Sequence, residues 1–391
     1  MNAAAIIFWI FAFIVFYTYL GYGVILYVLV KIKELFHHRI TFELPEELPE
    51  VTLLIAAYNE QDVIEQKMNN CLQLTYPSHK LKITWVTDGS NDNTNELLSG
   101  YKDVILYFKP ERMGKSAAVT RAMSFVTSPI VVFTDANTML NKESVLEIVR
   151  MFENKKVGCV AGEKRVVGNK ADEASSTEGI YWKYESKLKE LDYRLYSAVG
   201  AAGELFALRR ELFEPLPDDT LLDDFVLSMK IAMNGHVIAY CKDAYAIEEA
   251  SAGMKEEGKR KVRIAAGGLQ SIIRLKPLLN IFRYGTLSWQ YTSHRVLRWS
   301  VTPLFLFLLF PLNIILCIFE PHSVLYFTIF ALQVLFYLSA LLGYYGALKG
   351  IKSKLLYISY YFVFMNINVF KGIGYLCKNK GRGTWEKAKR N

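Results

Sequence analysis

Three acidic islands carry most of the chemistry legible in this chain: Thr87-Asp88-Gly89-Ser90, Phe133-Thr134-Asp135-Ala136-Asn137 and Leu222-Asp223-Asp224-Phe225. A basic run, Lys259-Arg260-Lys261-Val262-Arg263, follows them. Asp135 and Asn137, at i and i+2, can approach one divalent ion, and their hard oxygen atoms suit Mg2+ or Mn2+. Such an ion would neutralise a leaving diphosphate as a Lewis acid. Arg260 and Arg263 can clamp a diphosphate through paired N–H donors, or equally form a membrane-facing basic patch. One of Asp223 and Asp224 can act as a general base, although adjacent acids at a helix start also stabilise the helix dipole. Asp88 reads as a ligand contact or as a turn and helix cap. Upstream, Ala57, Tyr58 and Glu60 in Ala56-Ala57-Tyr58-Asn59-Glu60 offer a ring and a carboxylate able to hold a nucleoside, or simply a strand end and cap.

These residues need a scaffold that brings them together. Asp88 and Asp135 each close a run of β-forming apolar residues, so they are expected at the carboxyl ends of strands, the edge where α/β sheets bind nucleotides. Strand-like runs at 51–57, 82–87, 104–108 and 130–134 alternate with helical patterns at 61–72, from about Asn93, 115–125 and 142–152. That alternation predicts a mostly parallel sheet with helices on both faces. Around 178–195 the pattern becomes a long amphipathic helix rich in Tyr, Lys and Glu, carrying Trp182, Tyr184 and Glu185.

Of the 391 residues 52% are hydrophobic and 14% aromatic, too apolar for a purely soluble protein of this charge content, and the apolar residues cluster. Segments 3–30, 301–319 and 323–348 carry no charge, and each approaches the ~20 apolar residues that a membrane-spanning helix needs. The first is read as a retained anchor rather than a signal peptide, because it lacks a basic start and a cleavage site. Lys31, Lys33 and Arg39 after it, and Arg295 and Arg298 before the next span, place residues ~31–300 in the cytoplasm by the positive-inside rule. Segment 355–377 is marginal; with the basic tail behind it, it is expected to be interfacial or re-entrant. The resulting divisions are an anchor (1–35), a cytosolic domain (36–255), a basic segment with interfacial helices (256–300) and C-terminal membrane helices with a basic tail (301–391). The default location is the plasma or inner cell membrane.

Some classes drop out. The five cysteines are scattered and form no paired motif, which supports neither a disulfide framework nor a zinc site. The net charge of +8 fits juxtamembrane lysines facing anionic lipid better than nucleic acid. Gly114-Lys115-Ser116 resembles the end of a P-loop, but position 109 is Lys where that motif needs Gly. Lys115 stays among the substrate-binding candidates.

In this order the residues resemble the family 2 inverting glycosyltransferases, in the membrane-embedded branch of hyaluronan, cellulose, chitin and poly-N-acetylglucosamine synthases. The resemblance runs from about Pro49 to Gly268. It implies a GT-A type domain, a UDP-sugar donor, a glycan or lipid-linked acceptor and a bilayer setting. By this likeness Asp88 contacts the nucleotide, and Asp135 and Asn137 stand for the metal-binding D-x-D with its second acid changed. Leu222-Asp223-Asp224 stands for T-E-D, with Asp224 the base and Asp223 beside the substrate. The Q/R-x-x-R-W motif falls on Arg260-Lys261-Val262-Arg263-Ile264, its Trp replaced. Arg295-Val296-Leu297-Arg298-Trp299 matches the letters better but is set aside as abutting a span and lying too far from Asp224. Gly200-Ala201-Ala202-Gly203-Glu204 resembles the acceptor-side loop, which makes Gly203 and Glu204 substrate-binding candidates. The implied chemistry is a single displacement building a growing β-linked polysaccharide. Single-sugar transfer to a lipid carrier or glycan, or an inactive nucleotide-sugar-binding regulator, are the alternatives.

Overall fold

The computed structural model describes residues 3–36, 42–167, 173–249, 253–349 and 353–378. Among them, eight strands form one sheet: β1 (Val51–Ala57), β2 (Leu81–Asp88), β3 (Val104–Lys109), β4 (Ile130–Asp135), β5 (Met139–Leu140), β6 (Val157–Val167), β7 (Leu205–Arg209) and β8 (Val237–Glu249). Their order is β3-β2-β1-β4-β7-β6-β8-β5. The first four run parallel; β7 is antiparallel to both β4 and β6, β6 and β8 are parallel, and β5 is antiparallel to β8. The sheet is therefore mixed and mostly parallel.

Successive residues of a strand point to opposite faces. Leu54, Val86, Val131 and Phe133 accordingly pack with the Lys115–Met123 and Asp223–Met233 helices, while Leu53, Ile55, Trp85 and Val132 pack with Ile64–Leu72 and Ser144–Met151. Both faces are covered, which is why the central strands read as unbroken apolar runs. Register sets Thr87 against Ala57 and Asp135 against Ala56, so Asp88 and Asp135 reach the same carboxyl edge. Strands β6 and β8 escaped the sequence pattern because their pairing slips at Val157/Cys159 and Gly162/Glu163, and such bulges break strict alternation.

Helices Ala3–Phe36, Val301–Phe319 and Val324–Leu348 are long and apolar enough to cross a membrane. The first contains a π-helical turn, Tyr17–Gly21, and a second lies at Thr292–Val296. The two meet: Tyr17 and Ser293 hydroxyls are 2.7 Å apart, and Trp289 Nε1 donates to Tyr17 at 3.1 Å. Segment 355–377 falls within one continuous helix, Lys354–Lys378. Small residues let it pack closely. A Cβ on Gly372 would come within 2.8 Å of Ala265 on the Met254–Arg274 helix, and Tyr361 donates to Glu257 of that helix at 3.1 Å. Tyr19 OH donates to Asn366 Oδ1 at 2.5 Å, joining the first membrane helix to the last described one.

Candidate active site

The sheet's carboxyl edge opens into a cavity of about 1050 Å³. Its walls include every candidate drawn from the sequence: Ala57, Tyr58, Glu60, Asp88, Lys115, Asp135, Asn137, Gly203, Glu204, Asp223, Asp224, Arg260 and Arg263.

At one end the loops after β1 and β2 are tied together. Asn59, in the left-handed region at φ 53°, donates through its backbone N–H to Ser90 Oγ at 3.1 Å and through its side chain to Asn91 at 2.7 Å. Asp88 is buried and accepts from the backbone N–H groups of Met113 (3.1 Å) and Gly114 (2.6 Å). Its carboxylate thus anchors the loop leading into the Lys115–Met123 helix while still lining the cavity. That loop lays the Arg112 guanidinium 3.7 Å over the Tyr58 ring.

Deeper in, the N-terminus of the same helix presents Lys115, whose Nζ donates to Asp135 Oδ1 at 2.7 Å. Burial pulls its ammonium towards the neutral form, but Asp135, Asp223 and Asp224 together outweigh this and hold it charged. Asp223 and Asp224 open the Asp223–Met233 helix. Asp224 accepts from the Phe225 N–H at 2.8 Å, and the surrounding walls, then the Asp223 charge, push its carboxyl up to about 7 against the pull of Lys115. Gly200 (φ 83°) lets the 200–203 loop lie on Phe225, where a Cβ would come within 2.2 Å of the ring. Gly203 leaves room for both functional groups, because a Cβ there would meet Lys115 Nζ at 3.2 Å and Asp224 Oδ2 at 3.3 Å.

The Asp135–Thr138 turn is braced from beneath by Lys67. Its Nζ donates to Thr138 O at 2.5 Å and Thr134 Oγ1 at 3.1 Å, and burial lowers its pKa to about 8. No cluster of three or more His, Cys, Asp or Glu side chains with metal-holding geometry occurs among the described residues. Asp135 and Asn137 both lie on the cavity wall and offer two hard oxygen donors, the kind of sparse protein contribution that Mg2+ accepts beside phosphate oxygens.

The third wall is a charge cluster that the sequence reading did not foresee. Lys164 bonds both Glu204 and Glu248. Arg260 stands 3.7 Å from Glu204, 3.6 Å from Glu248 and 3.7 Å from Glu257. Burial would raise the Glu204 carboxyl, but Lys164 and Arg260 hold it well below the usual range. Arg260 thus faces the cavity already engaged with three carboxylates.

The set-aside segment needs correcting: Arg295, Arg298 and Trp299 line the same cavity as Asp224. Trp299 lies edge-on to Phe225, the residue after Asp224, with centroids 5.1 Å apart. It also covers Gly268 on the helix that carries Arg260 and Arg263, where a Cβ would fall 2.5 Å from the indole. Distance in sequence misled because the chain doubles back through Thr286–Tyr291 and the π turn. Arg295 and Arg298 reach the buried Glu185 at 2.5 and 3.0 Å, and His294 reaches it at 3.2 Å. His294 Nδ1 is 2.6 Å from Asp192, which accepts from Tyr22 of the first membrane helix. The cavity wall also includes Val15, Phe16, Leu20, Leu306 and Phe336 of the three long apolar helices and Phe362 of the Lys354–Lys378 helix.

Residues 52–216 match the model of the family described as Glycosyl transferase family 2. The chain carries a family 2 glycosyltransferase domain. It is 28% identical over 242 residues to the poly-beta-1,6-N-acetyl-D-glucosamine synthase of Staphylococcus aureus (strain MSSA476), covering 59% of this chain and 57% of the relative. A Bacillus subtilis (strain 168) protein named "Probable glycosyltransferase YdaM" is 25% identical over 261 residues, covering 61% of this chain and 62% of that one. The matched region thus spans less than two thirds of these relatives' length. In fold, the chain is similar to the mannosyltransferase PcManGT of Pyrobaculum calidifontis, solved with GDP-Man and Mn2+. The TM-score is 0.71 at 20% identity over 96% of this chain and 99% of that one. The chain therefore has a GT-A-like fold, with helices at both ends that are long and apolar enough to span a membrane.

Proposed function

We propose that the protein is a membrane-bound inverting glycosyltransferase that moves a sugar from a UDP-sugar to a hydroxyl acceptor, with its catalytic domain in the cytoplasm. The observation that carries this reading is Asp224: a carboxyl poised near 7, beside the Lys115–Asp135 pair, in one cavity with the nucleotide-side residues. A base tuned to the working pH combines ionisation with proton affinity.

Tyr58, Glu60 and Asp88 hold the nucleoside end, Tyr58 stacked under Arg112. Lys115 and Arg263 meet the diphosphate. Arg260 joins them by exchanging carboxylate partners for phosphate, to which its planar fork is suited. Asp135 and Asn137 would hold Mg2+ or Mn2+, whose chemistry is to neutralise the leaving diphosphate; PcManGT, similar in fold, was solved with Mn2+. Asp224 takes the acceptor hydroxyl's proton, and the freed oxygen forms its bond to the anomeric carbon as the bond to the diphosphate oxygen breaks. UDP leaves from the opposite face and the configuration inverts. Asp223 and Gly203–Glu204 shape the space beside the acceptor.

The Staphylococcus relatives are named for making a β-linked polymer, and this supports polysaccharide elongation. A second reading, single-sugar transfer to a lipid carrier, is favoured by the apolar side chains that the long helices place in the cavity wall. The test is UDP release by the full-length protein in detergent with a panel of UDP-sugars and Mn2+ or Mg2+, with any product sized. Turnover that disappears in Asp224→Asn supports the transferase; full activity in that variant refutes the base.

A further inference from the structure

Lys67, on the Ile64–Leu72 helix, is 0% exposed and lies behind the cavity wall rather than in it. Burying an ammonium is costly unless its protons are used, and here they go to one turn: Nζ donates to Thr138 O at 2.5 Å and to Thr134 Oγ1 at 3.1 Å. An ammonium can only donate. Thr134 Oγ1 therefore accepts from Lys67 and turns its own proton elsewhere, donating to Glu204 O at 2.9 Å. Thr138 Oγ1 stands 3.0 Å from both Thr134 Oγ1 and Asp135 O, and both threonines are buried. Residues three apart share a helix face, and Asn70 grips the same stretch further on. Its amide donates to Leu140 O and accepts from the Leu140 N–H, both at 2.8 Å. One helix thus holds the chain on either side of Asp135–Asn137.

The hold reaches two parts of the site at once. Thr134 and Asp135 are successive strand residues and point to opposite faces: Asp135 meets Lys115 on the cavity side, and Thr134 meets Lys67 behind it. The Thr134 hydroxyl ends on Glu204, whose neighbour Gly203 lies against Lys115 Nζ and Asp224 Oδ2. A single buried knot therefore ties the turn carrying Asp135 and Asn137 to the loop beside Asp224. A methionine in place of Lys67 would fill the same space and donate nothing. Resting on the glycosyltransferase reading, we infer that Lys67 is a positioning residue. By donating to Thr134 and Thr138 it holds the Asp135–Asn137 turn, which would bind the metal, against the Gly203–Glu204 loop beside the base.

The test is calorimetric binding of Mn2+ and of UDP to the full-length protein in detergent, with UDP affinity also measured in EDTA. In the presence of UDP, Lys67→Met should bind Mn2+ roughly 10- to 100-fold more weakly than wild type, the usual loss when a partner behind a metal ligand is removed. Its metal-free UDP affinity should stay at the wild-type value. Thr134→Val keeps the ammonium and nearly the same shape, so it carries the test if Lys67→Met does not fold. It should weaken Mn2+ binding in the same direction, and adding it to Lys67→Met should cost little more, because both cut one network. Wild-type Mn2+ affinity in both variants, no Mn2+ binding by the UDP-loaded wild type, or equal losses of UDP and Mn2+ affinity, the mark of general loosening, would each overturn the inference. UDP release is read separately. Wild-type turnover with unchanged Mn2+ affinity in the variants overturns this inference alone, whereas weakened Mn2+ binding in variants of a wild type that turns over no donor overturns the transferase reading alone.

Discussion

The Lys115 ammonium lies 2.7 Å from Asp135 Oδ1, so a fixed cation already neutralises the carboxylate that would face a metal ion. Helix and strand converge to make this pair: Lys115 begins the helix that Asp88 anchors, and Asp135 ends the neighbouring strand β4. Under the proposed function, a donor diphosphate would compete with Asp135 for Lys115, which predicts that metal and nucleotide binding are coupled.

Replacing Lys115 with Met separates the two. In titrations without nucleotide, Mn2+ should bind Lys115→Met more tightly than wild type, because Asp135 is released. The same variant should lose about 100-fold or more in kcat/KM, as expected when a fixed charge at the leaving group is removed. Unchanged nucleotide-free Mn2+ affinity would show that the pair does not guard the metal position.

Asp224 sets a pH dependence. Its carboxyl must be ionised to act as base, so turnover should be flat above about 7 and fall about tenfold per unit below it. Stability runs the other way. The folded pKa is raised above its unfolded value, so the folded state binds the proton more tightly and loses stability as pH rises from about 4 to about 7. Asp224→Asn should therefore melt higher than wild type at pH 8 and equal to it near pH 4. A lower melting temperature at pH 8 contradicts the raised pKa.

Glu185 is a structural keystone rather than a reacting group. Its carboxylate, 1% exposed, is shared by Arg295, Arg298 and His294. Glu185→Gln leaves two buried guanidinium groups short of a counter-charge and should cost about 3–5 kcal/mol, seen as a large drop in the thermal midpoint. A change of less than ~1 kcal/mol would mean that the arginines find other partners.

At Gly200, both backbone and space exclude a side chain. Gly200→Ala must accommodate a Cβ 2.2 Å from Phe225 at φ 83° and should destabilise by about 1–3 kcal/mol. Because Phe225 follows Asp224, activity should fall further than stability alone explains. Wild-type activity in a folded Gly200→Ala protein would show that this loop does not set the position of Asp224.

Much of the parallel half of the sheet was legible because β1, β2 and β4 are buried on both faces and read as apolar runs ending in Asp88 and Asp135. Asp88 and Asp135 converge as their placement at strand ends required, and Asp223 and Asp224 join them from a helix start. The Arg295–Trp299 segment was misjudged because separation along the chain does not measure distance after a turn through short helices. Lys164 and Glu248 gave no signal: each sits in a bulged strand of mixed polarity, and their pairing is fixed by the β6–β8 register.

The first helix is more than a tether. Val15, Phe16, Tyr19 and Leu20 form part of the cavity wall, Tyr22 closes the Asp192–His294 network, and Tyr19 bonds Asn366. Swapping this segment for a foreign anchor of equal length and greasiness would restore attachment to a bilayer but leave the reaction chamber open on one side. A version trimmed for solubility would be a different machine, able to hold its nucleotide and unable to enclose what the sugar is meant to reach.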